Sequence, residues 1–318
     1  MPTFEVTAFG ETMLRYSVPL GQRLSRCRQL DMDVGGAESN VLAGLAGLGR
    51  HCAWFGAVSD NDLGSLVLRE LNATGMKTDS VIHSEHRLGK CYVEFASAPR
   101  SINVIYDRKD SAICHLSVAD MPWDVLLDTS VLHLTGITPA LSSSCAEIIL
   151  EAVKRAQAKG VSVSFDINYR SKLWSPQKAL AVLKPILNYV DILICGEGDA
   201  LTVFGIKGSE QTVLEKLHDL SSAQHVVLTQ SSRGSSTLLN GELIQVKAQK
   251  ADIVDRIGAG DAFAAGVLDG FLDEDIVSGM KRGSVLSAIV LTQHGDMVTS
   301  SREEMQTLLN QKGQRLNR

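Results

Sequence analysis

The chain has 318 residues and a formal net charge of −5 at pH 7, so it lacks the overall positive charge that attracts nucleic acid or another polyanion. Its length allows one large α/β domain, and its 6 cysteines contain no C-x-x-C pair, which argues against a disulfide framework or a zinc site. No run of residues is apolar enough to span a membrane, and the first ten residues do not resemble a secretion signal; we therefore expect a cytoplasmic protein without membrane partners.

The first elements predicted along the chain are a strand, a helix and a second strand. The strands cover residues 5–9 and 52–58, and a helix rich in small residues covers 37–48. Residues 12–34, between the first strand and the helix, are polar and irregular. The main sheet is therefore predicted to begin at the N-terminus.

Residues 90–96 and 103–108 break this pattern, because they read as two paired strands with no helix between them, joined through residues 98–101. Antiparallel strands inside a βα protein predict an inserted β lid, to which residues 12–34 could add the other half. We predict a single domain over residues 1–318, with a discontinuous lid from about 12–34 and 88–116.

From about residue 130, short β-branched runs alternate with helical segments, the pattern of repeated βαβ units on a parallel sheet. The predicted strands cover residues 131–134, 161–165, 191–194 and 226–229. The best-marked helix covers residues 143–159, with apolar side chains along one face and Gly160 as the stop.

The most specific motif is a glycine-containing loop at the start of an apolar helix near the C-terminus. Its residues are Asp255, Arg256, Ile257, Gly258, Ala259, Gly260 and Asp261. Uncovered N–H groups and the helix dipole make such a start an anion site. A carboxylate beside a bound polyphosphate is electrostatically unfavourable, so Asp261 fits the role of a base that takes a proton from an attacking hydroxyl. A helix N-cap is the alternative interpretation of Asp261.

A dinucleotide-binding fingerprint is a competing interpretation of this loop, since Gly258 and Gly260 form G-x-G. It fails because Phe263 occupies the third glycine position and because the motif is far from a first βαβ unit. An NAD-dependent oxidoreductase is therefore disfavoured. The chain also contains no G-x-x-x-x-G-K-[ST] string, so an ATP-using enzyme here would need another phosphate cradle.

A second motif, residues 35–40, leads into the first predicted helix. Gly35 and Gly36 permit a tight turn and close backbone approach, and Asn40 can offer both a donor and an acceptor to a polyol. An ordinary junction between a loop and a helix is the alternative interpretation.

Together the two motifs resemble the two signatures of the PfkB, or ribokinase-like, carbohydrate kinases, and the resemblance covers essentially the whole chain. It implies a three-layer α/β/α sandwich with a mostly parallel sheet and a small β lid. It also implies that Asp261 is the general base, that the amides of residues 258–260 (Gly258, Ala259, Gly260) hold the transferring phosphoryl group, and that Gly35, Gly36 and Asn40 hold the sugar.

Within this family the chain resembles the 2-keto-3-deoxygluconate kinase branch, through Tyr92 on the first lid strand, Tyr106 and Arg108 on the second, and Arg170 after a strand end. Arg108 and Arg170 would grip a carboxylate, although either could be a surface residue. The resemblance implies transfer from ATP to the primary hydroxyl of 2-keto-3-deoxygluconate, giving the 6-phosphate. A neutral-sugar kinase such as a fructokinase, and a non-catalytic sugar or nucleotide sensor, are the alternatives.

The resemblance also implies a nucleotide site, a Mg²⁺ ion and a homodimer. The implied nucleotide contacts are Asn168, Glu197, Asp199, Thr229, Gly234, Gly258 and Gly260. Asp199 would reach Mg²⁺ through water, and Asp255 would order a loop for a monovalent cation such as K⁺. Three positions depart from the family pattern, namely Gly196, Ser231 and Arg15. Arg15 replaces an acid that many relatives use on the sugar, and is expected either to face an acidic substrate or to lie on the surface.

Overall fold

The computed structural model describes residues 2–96 and 100–310. Its strands are β1 (Phe4–Phe9), β2 (Met13–Ser17), β3 (Asp31–Gly35), β4 (Cys52–Phe55), β5 (Ala57–Ser59), β6 (Ile82–Ser84), β7 (Lys90–Glu94), β8 (Asn103–Asp107), β9 (Thr129–Thr135), β10 (Ser162–Asp166), β11 (Ile192–Gly196), β12 (His225–Thr229), β13 (Ser235–Leu239) and β14 (Glu242–Val246). Its α-helices are α1 (Ala37–Gly47), α2 (Asp62–Ala73), α3 (Trp123–Leu126), α4 (Thr138–Leu141), α5 (Ser143–Lys159), α6 (Pro176–Leu187), α7 (Glu197–Phe204), α8 (Glu210–Leu220), α9 (Ala259–Leu272), α10 (Ile276–Leu291) and α11 (Arg302–Asn310). Within these described ranges, no helix has the length and apolar character needed to cross a membrane.

The large sheet has 8 strands in the order β14-β13-β12-β11-β10-β9-β1-β4. The strands from β12 to β4 are parallel, while β13 and β14 are antiparallel at one edge. Helical connections between neighbouring parallel strands produce this order, as the alternating pattern predicts. Parallel strands also bring their carboxyl ends to one edge of the sheet, where ligands bind in such folds.

Two hydrophobic cores lie on opposite faces of this sheet. Leu193 packs into the core formed with α5, α6, α7 and α8, whereas its neighbours Ile192 and Ile194 pack into the core formed with α1, α2, α9 and α10. Successive strand residues point to opposite faces, so each buried strand serves both cores. The result is the expected three-layer α/β/α sandwich with a mostly parallel sheet.

A separate four-stranded sheet, which we call the small sheet, has the order β3-β2-β7-β8. β2 pairs with β3 and β7 with β8 in antiparallel fashion, and the central pair β2–β7 is parallel. Two distant parts of the chain therefore build it, one from residues 13–35 and one from residues 90–107. The connection expected through residues 98–101 lies partly outside the described residues.

Predicted and observed elements agree best where the ends carry clear signals. Helix α5 covers the predicted residues, because the Ser142 side chain accepts from the Cys145 amide at its start and Gly160 closes it with φ 71°. The strand predicted for residues 52–58 is instead divided into β4 and β5 at Gly56. A Cβ at Gly56 would overlap the main-chain oxygen of Gly10, so the chain bends at the one residue that permits this approach.

Candidate active site

Helix α9 begins at the predicted anion loop. Its N-cap is Gly258, which has φ 86°, a left-handed conformation that favours glycine. A Cβ at this position would also overlap the main-chain oxygen of Asp296. The first N–H groups of an α-helix have no acceptor within the helix, so the start of α9 presents amides and the positive end of the dipole to any anion beside it.

Asp261 lies in the first turn of α9, inside the helix, so the alternative interpretation of Asp261 as an N-cap is wrong. It is 9% exposed, and its Oδ2 accepts a 2.7 Å hydrogen bond from Nδ2 of Asn40. Oδ1 of Asn40 in turn accepts from the Gly36 amide at 3.2 Å, which fixes the orientation of the side-chain amide. The two motifs predicted to form one site therefore meet in space.

Burial raises the pKa of Asp261 to about 7, against the opposing effects of the Asn40 hydrogen bond and the positive charge of Arg170. The negative charges of Asp296 and Glu38 raise it further. A carboxyl group that titrates near neutral pH is suited to take up a proton during a reaction.

Two more acids lie near the carboxyl ends of neighbouring strands: Asp166 is the last residue of β10, and Asp199 lies in the first turn of α7, directly after β11. Burial, followed by the charges of Asp261 and Asp199, raises the pKa of Asp166 to about 8. Burial also raises the pKa of Asp199, whose Oδ2 accepts from the Tyr169 amide at 3.1 Å. The exposed guanidinium of Arg170 favours the ionised form of all three acids. Arg170 therefore lies beside these three acids, and Asp166 is a further residue of this group for which the sequence alone predicts no role.

A cavity of about 830 Å³ opens beside the start of α9. The residues that line it include Thr229, Ser231, Gly234, Gln249, Ile253, Arg256, Ala259, Gly260, Phe263, Ser284 and Ser287. Its volume is in the range that accommodates a nucleotide-sized ligand. Three of the predicted nucleotide contacts, Thr229, Gly234 and Gly260, line this cavity.

Four other predicted nucleotide residues do not line this cavity. Gly258 is the N-cap of α9. Asn168 forms the turn after β10, with φ 39° and its amide donating to Oδ1 of Asp166 at 3.2 Å. Glu197 forms a partly exposed ion pair with Arg233. Asp199 lies with the acids at the strand ends. Ser231, which stands where the family usually has glycine, keeps the left-handed backbone conformation typical of glycine, with φ 53°.

The two faces of the small sheet carry different side chains. Arg15, Cys91 and Tyr106 are cross-strand partners on one face, from which the Arg15 side chain reaches Asp255 in the loop before α9. Tyr92 has the opposite orientation, because the direction of side chains alternates along a strand. It stacks on Tyr16 with ring centroids 5.4 Å apart. Tyr92 therefore points away from the face that carries Arg15, contrary to the expectation that it lines the site, and Cys91 points toward that face.

Arg108 is buried directly after β8 and is bound to a second buried charge. Its Nε and Nη2 lie 2.8 and 2.5 Å from Oε2 of Glu11. The other carboxylate oxygen of Glu11 accepts from the Ser111 hydroxyl. Arg108 is thus a buried, ion-paired residue and not a surface residue. Its partner Glu11 belongs to neither sequence motif.

Arg15 neither faces the solvent nor points into the space around Asp261. It is 0% exposed, and its guanidinium forms ion pairs with Asp255 and Asp296. The expectations that Arg15 faces an acidic substrate or lies on the surface are therefore wrong. The sequence did not indicate its partners, because they lie 240 and 281 positions away along the chain. Asp296 also packs against Gly35 at the end of β3, where a Cβ would overlap its carboxylate.

Glu38 is another acid whose place was not predicted. It is almost fully buried in the first turn of α1 and accepts from the hydroxyls of Thr135 at 2.8 Å and Thr138 at 2.7 Å. Burial raises its pKa. In the sequence it looks like the surface acid that the N-terminus of any helix favours. Only its contacts with Thr135, the last residue of β9, and Thr138 distinguish it.

Comparison with known proteins agrees with this geometry. Residues 3–303 match the family model described as pfkB family carbohydrate kinase. A 2-dehydro-3-deoxygalactonokinase of Haloferax volcanii is 34% identical over 96% of this chain and 97% of its own length. A 2-dehydro-3-deoxygluconokinase of Bacillus subtilis is 30% identical over 92% and 91%.

Among solved structures, the 2-dehydro-3-deoxygluconokinase of Thermotoga maritima superimposes with a TM-score of 0.93 and 32% identity over 97% of this chain and 98% of its own. The ribokinase-like fold expected from the two motifs is confirmed. The chain belongs to the pfkB family of carbohydrate kinases.

Proposed function

We propose that this protein transfers the γ-phosphoryl group of ATP to the primary hydroxyl of 2-keto-3-deoxygluconate, also called 2-dehydro-3-deoxygluconate, to give the 6-phosphate. The observation that carries the proposal is a buried Asp261, held by Asn40 and titrating near pH 7, at the amide-rich start of α9. The names of similar proteins support the choice of sugar.

In the proposed reaction, ATP occupies the 830 Å³ cavity and its γ-phosphoryl group meets the amides at residues 258–260. Oδ2 of Asp261 is engaged by Asn40, which leaves Oδ1 to accept the proton of the sugar hydroxyl. The hydroxyl oxygen then bonds to phosphorus while the bond to the ADP oxygen breaks. Preorganised amides stabilise the charge that develops on the transferred group.

The acids at the strand ends fit a Mg²⁺ ion that accompanies ATP. Within the described residues, no group of three or more His, Cys, Asp or Glu side chains could hold a metal by itself. Kinase Mg²⁺ ions need only one or two carboxylates, since phosphate and water oxygens complete the shell. Asp199, directly or through water, and Asp166 would supply them. When bound, the ion would neutralise phosphate charge.

We propose that the substrate carboxylate binds between Arg170 and Arg108. Arg170 is exposed at the strand ends, and Glu11 holds the Nε and Nη2 edge of Arg108, which leaves Nη1 for a ligand. Tyr106 lies next to Arg108, with its ring centroid 5.8 Å from the guanidinium carbon. Guanidinium groups bind carboxylates with directional hydrogen bonds, which a neutral ketose would not use.

A second candidate substrate is 2-keto-3-deoxygalactonate, because a relative with 34% identity is named for it. The decisive experiment is an ATP-consumption screen over both keto-deoxy acids and fructose. We expect kcat/KM to be highest for one of the two acids. Comparable or higher kcat/KM for fructose would reject the sugar-acid assignment, and no ATP consumption with any sugar would favour a sensor.

We further propose a homodimer formed through the face of the small sheet that carries Tyr16 and Tyr92, opposite the face that carries Arg15. Met32, Tyr16, Tyr92 and Ile105 are cross-strand partners that form one apolar row over all four strands. Met32 and Ile105 are 43% and 47% exposed. Exposed apolar rows of this kind favour association.

Light scattering of the wild type and of Ile105→Asp tests the dimer, with Leu201→Asp, on the exposed surface of α7, as the matched control. We expect only Ile105→Asp to yield monomers. A monomeric wild type would contradict the proposal. A cytoplasmic location, where ATP is available, stays a prediction.

A further inference from the structure

Arg15 is a fully buried cation whose charge is neutralised inside the protein. Its Nη2 binds Asp255, its Nη1 binds Asp296, and its Nε donates to the Ser17 hydroxyl at 3.1 Å. Asp255 is 0% exposed and Asp296 8% exposed. Burying a guanidinium is costly unless it is paired and hydrogen-bonded, and all three of its nitrogens meet this requirement.

Both carboxylate partners of Arg15 support the loop at the start of α9. Asp255 lies three residues before Gly258, and its Oδ1 accepts from the Ile257 amide at 3.0 Å. The main-chain oxygen of Asp296 lies directly against Gly258. A positive charge at this position therefore ties strand β2 of the small sheet to the two segments that shape the anion loop.

The residues around Asp255 do not fit the monovalent cation expected from the family resemblance. One carboxylate oxygen of Asp255 is bound to Arg15 and the other to the Ile257 amide. A K⁺ ion would need those oxygens and would sit beside a guanidinium of the same sign, where like charges in a poorly solvated interior repel strongly.

We propose that Arg15 is a built-in cation that takes the place of a bound monovalent ion beside the anion loop, so that the protein works without K⁺. Arg15 is then a positioning residue, because it acts through Asp255 and Asp296 on Gly258 and touches neither substrate. The inference rests on the proposed kinase function only for the role of the loop that it supports.

The first test compares wild-type protein in KCl and in choline chloride at equal ionic strength, with ATP as its Tris salt. We expect the same rate of ATP consumption in both salts and the same melting temperature at every K⁺ concentration, since an ion that binds only the folded state would raise it. Saturable activation by K⁺, or a melting temperature that rises with K⁺ and not with choline, would overturn the proposal.

The melting measurement needs no turnover, so it separates two failures. Absence of ATP consumption with every sugar and salt would reject the kinase proposal, whereas a K⁺-dependent melting temperature would reject the role of Arg15 alone. A melting temperature that does not change with K⁺ concentration supports the proposed role of Arg15, whichever substrate the protein uses.

The second test replaces the cation. Arg15→Ala should lower kcat/KM by about 10²-fold or more, the scale for losing electrostatic support of a transferred group. Added guanidinium or K⁺ should restore part of the activity and raise the melting temperature. Arg155→Ala, which removes an exposed ion pair with Glu151 on α5, is the control and should respond to neither ion.

A folded Arg15→Ala that keeps wild-type kcat/KM, or that neither cation rescues, would contradict the assignment. If Arg15→Ala does not fold, Arg15→Lys keeps a positive charge and should retain activity that remains independent of K⁺. Arg15→Lys activity that requires K⁺ would count against the proposal.

Discussion

Nδ2 of Asn40 in helix α1 donates a 2.7 Å hydrogen bond to Oδ2 of Asp261 in helix α9, across 221 positions of the chain. This bond favours the ionised carboxylate, whereas burial favours the protonated acid. The pKa of Asp261 rises to about 7 because burial dominates. The hydrogen bond from Asn40 therefore keeps the pKa of this strongly desolvated acid near neutral pH.

Asn40→Ala should raise the pKa of Asp261, because the hydrogen bond that stabilises its ionised form is lost. A base acts only when it is deprotonated, so the acidic limb of the pH profile of kcat/KM should move to higher pH, with a larger loss at pH 6 than at pH 8. Asn72→Ala, which removes the hydrogen bond that Asn72 in α2 donates to the Thr78 hydroxyl, serves as the control. An acidic limb that stays at the wild-type pH in Asn40→Ala would argue against this role.

Asp261→Asn should change how stability depends on pH. The pKa of Asp261 is about 7 in the folded protein and 3.8 without the fold, so the acid favours the folded state below pH 3.8, and this contribution is lost as pH rises through 7. The neutral variant has no such loss. Its melting temperature should exceed that of the wild type by more at pH 8 than at pH 5. Equal differences at the two pH values would contradict a raised pKa.

Much of the fold was predictable because its signals are local. Helix α5 carries its own N-cap, apolar face and terminal glycine, and the alternating pattern after residue 130 predicted the parallel sheet. The loop before α9 was also recognisable, because its signals lie within a few consecutive residues. Gly258 permits the left-handed φ of 86°, and Asp261 follows three residues later.

The remaining site residues depend on contacts between distant segments. Arg15 could not be assigned, because nothing near it in the sequence indicates Asp255 and Asp296 as partners. Tyr92 was assigned to the wrong face, because a one-residue shift along a strand reverses the direction of its side chain and an aromatic type does not specify which face it takes.

Two substitutions in the anion loop should have different effects. Gly258→Ala places a Cβ against the main-chain oxygen of Asp296 at a left-handed φ, so it should lower both the melting temperature and kcat. A Cβ at Gly260 meets no neighbour within 4 Å, so Gly260→Ala should fold normally and mainly raise KM for ATP, because Gly260 lines the cavity. Equal melting temperatures for the two variants would contradict the geometry of the loop.

Arg170→Ala should weaken binding of an acidic substrate far more than that of a neutral one. Loss of a charge-assisted contact costs about 1.5–3 kcal/mol, so KM for 2-keto-3-deoxygluconate should rise by about 10- to 100-fold while KM for fructose changes little. Arg69→Ala, which removes an exposed ion pair with Glu70 on α2, is the control. Similar increases in KM for the acid and the neutral sugar would remove Arg170 from the carboxylate site.

The most direct measurement is the turnover of Asp261→Asn with saturating Mg²⁺, ATP and 2-keto-3-deoxygluconate, with ATP affinity measured in parallel. A general base contributes about 10²–10⁴-fold, so kcat should fall by that factor while ATP binds as in the wild type. A variant that folds, binds ATP and turns over at close to the wild-type rate would contradict the assignment of Asp261 as the proton acceptor.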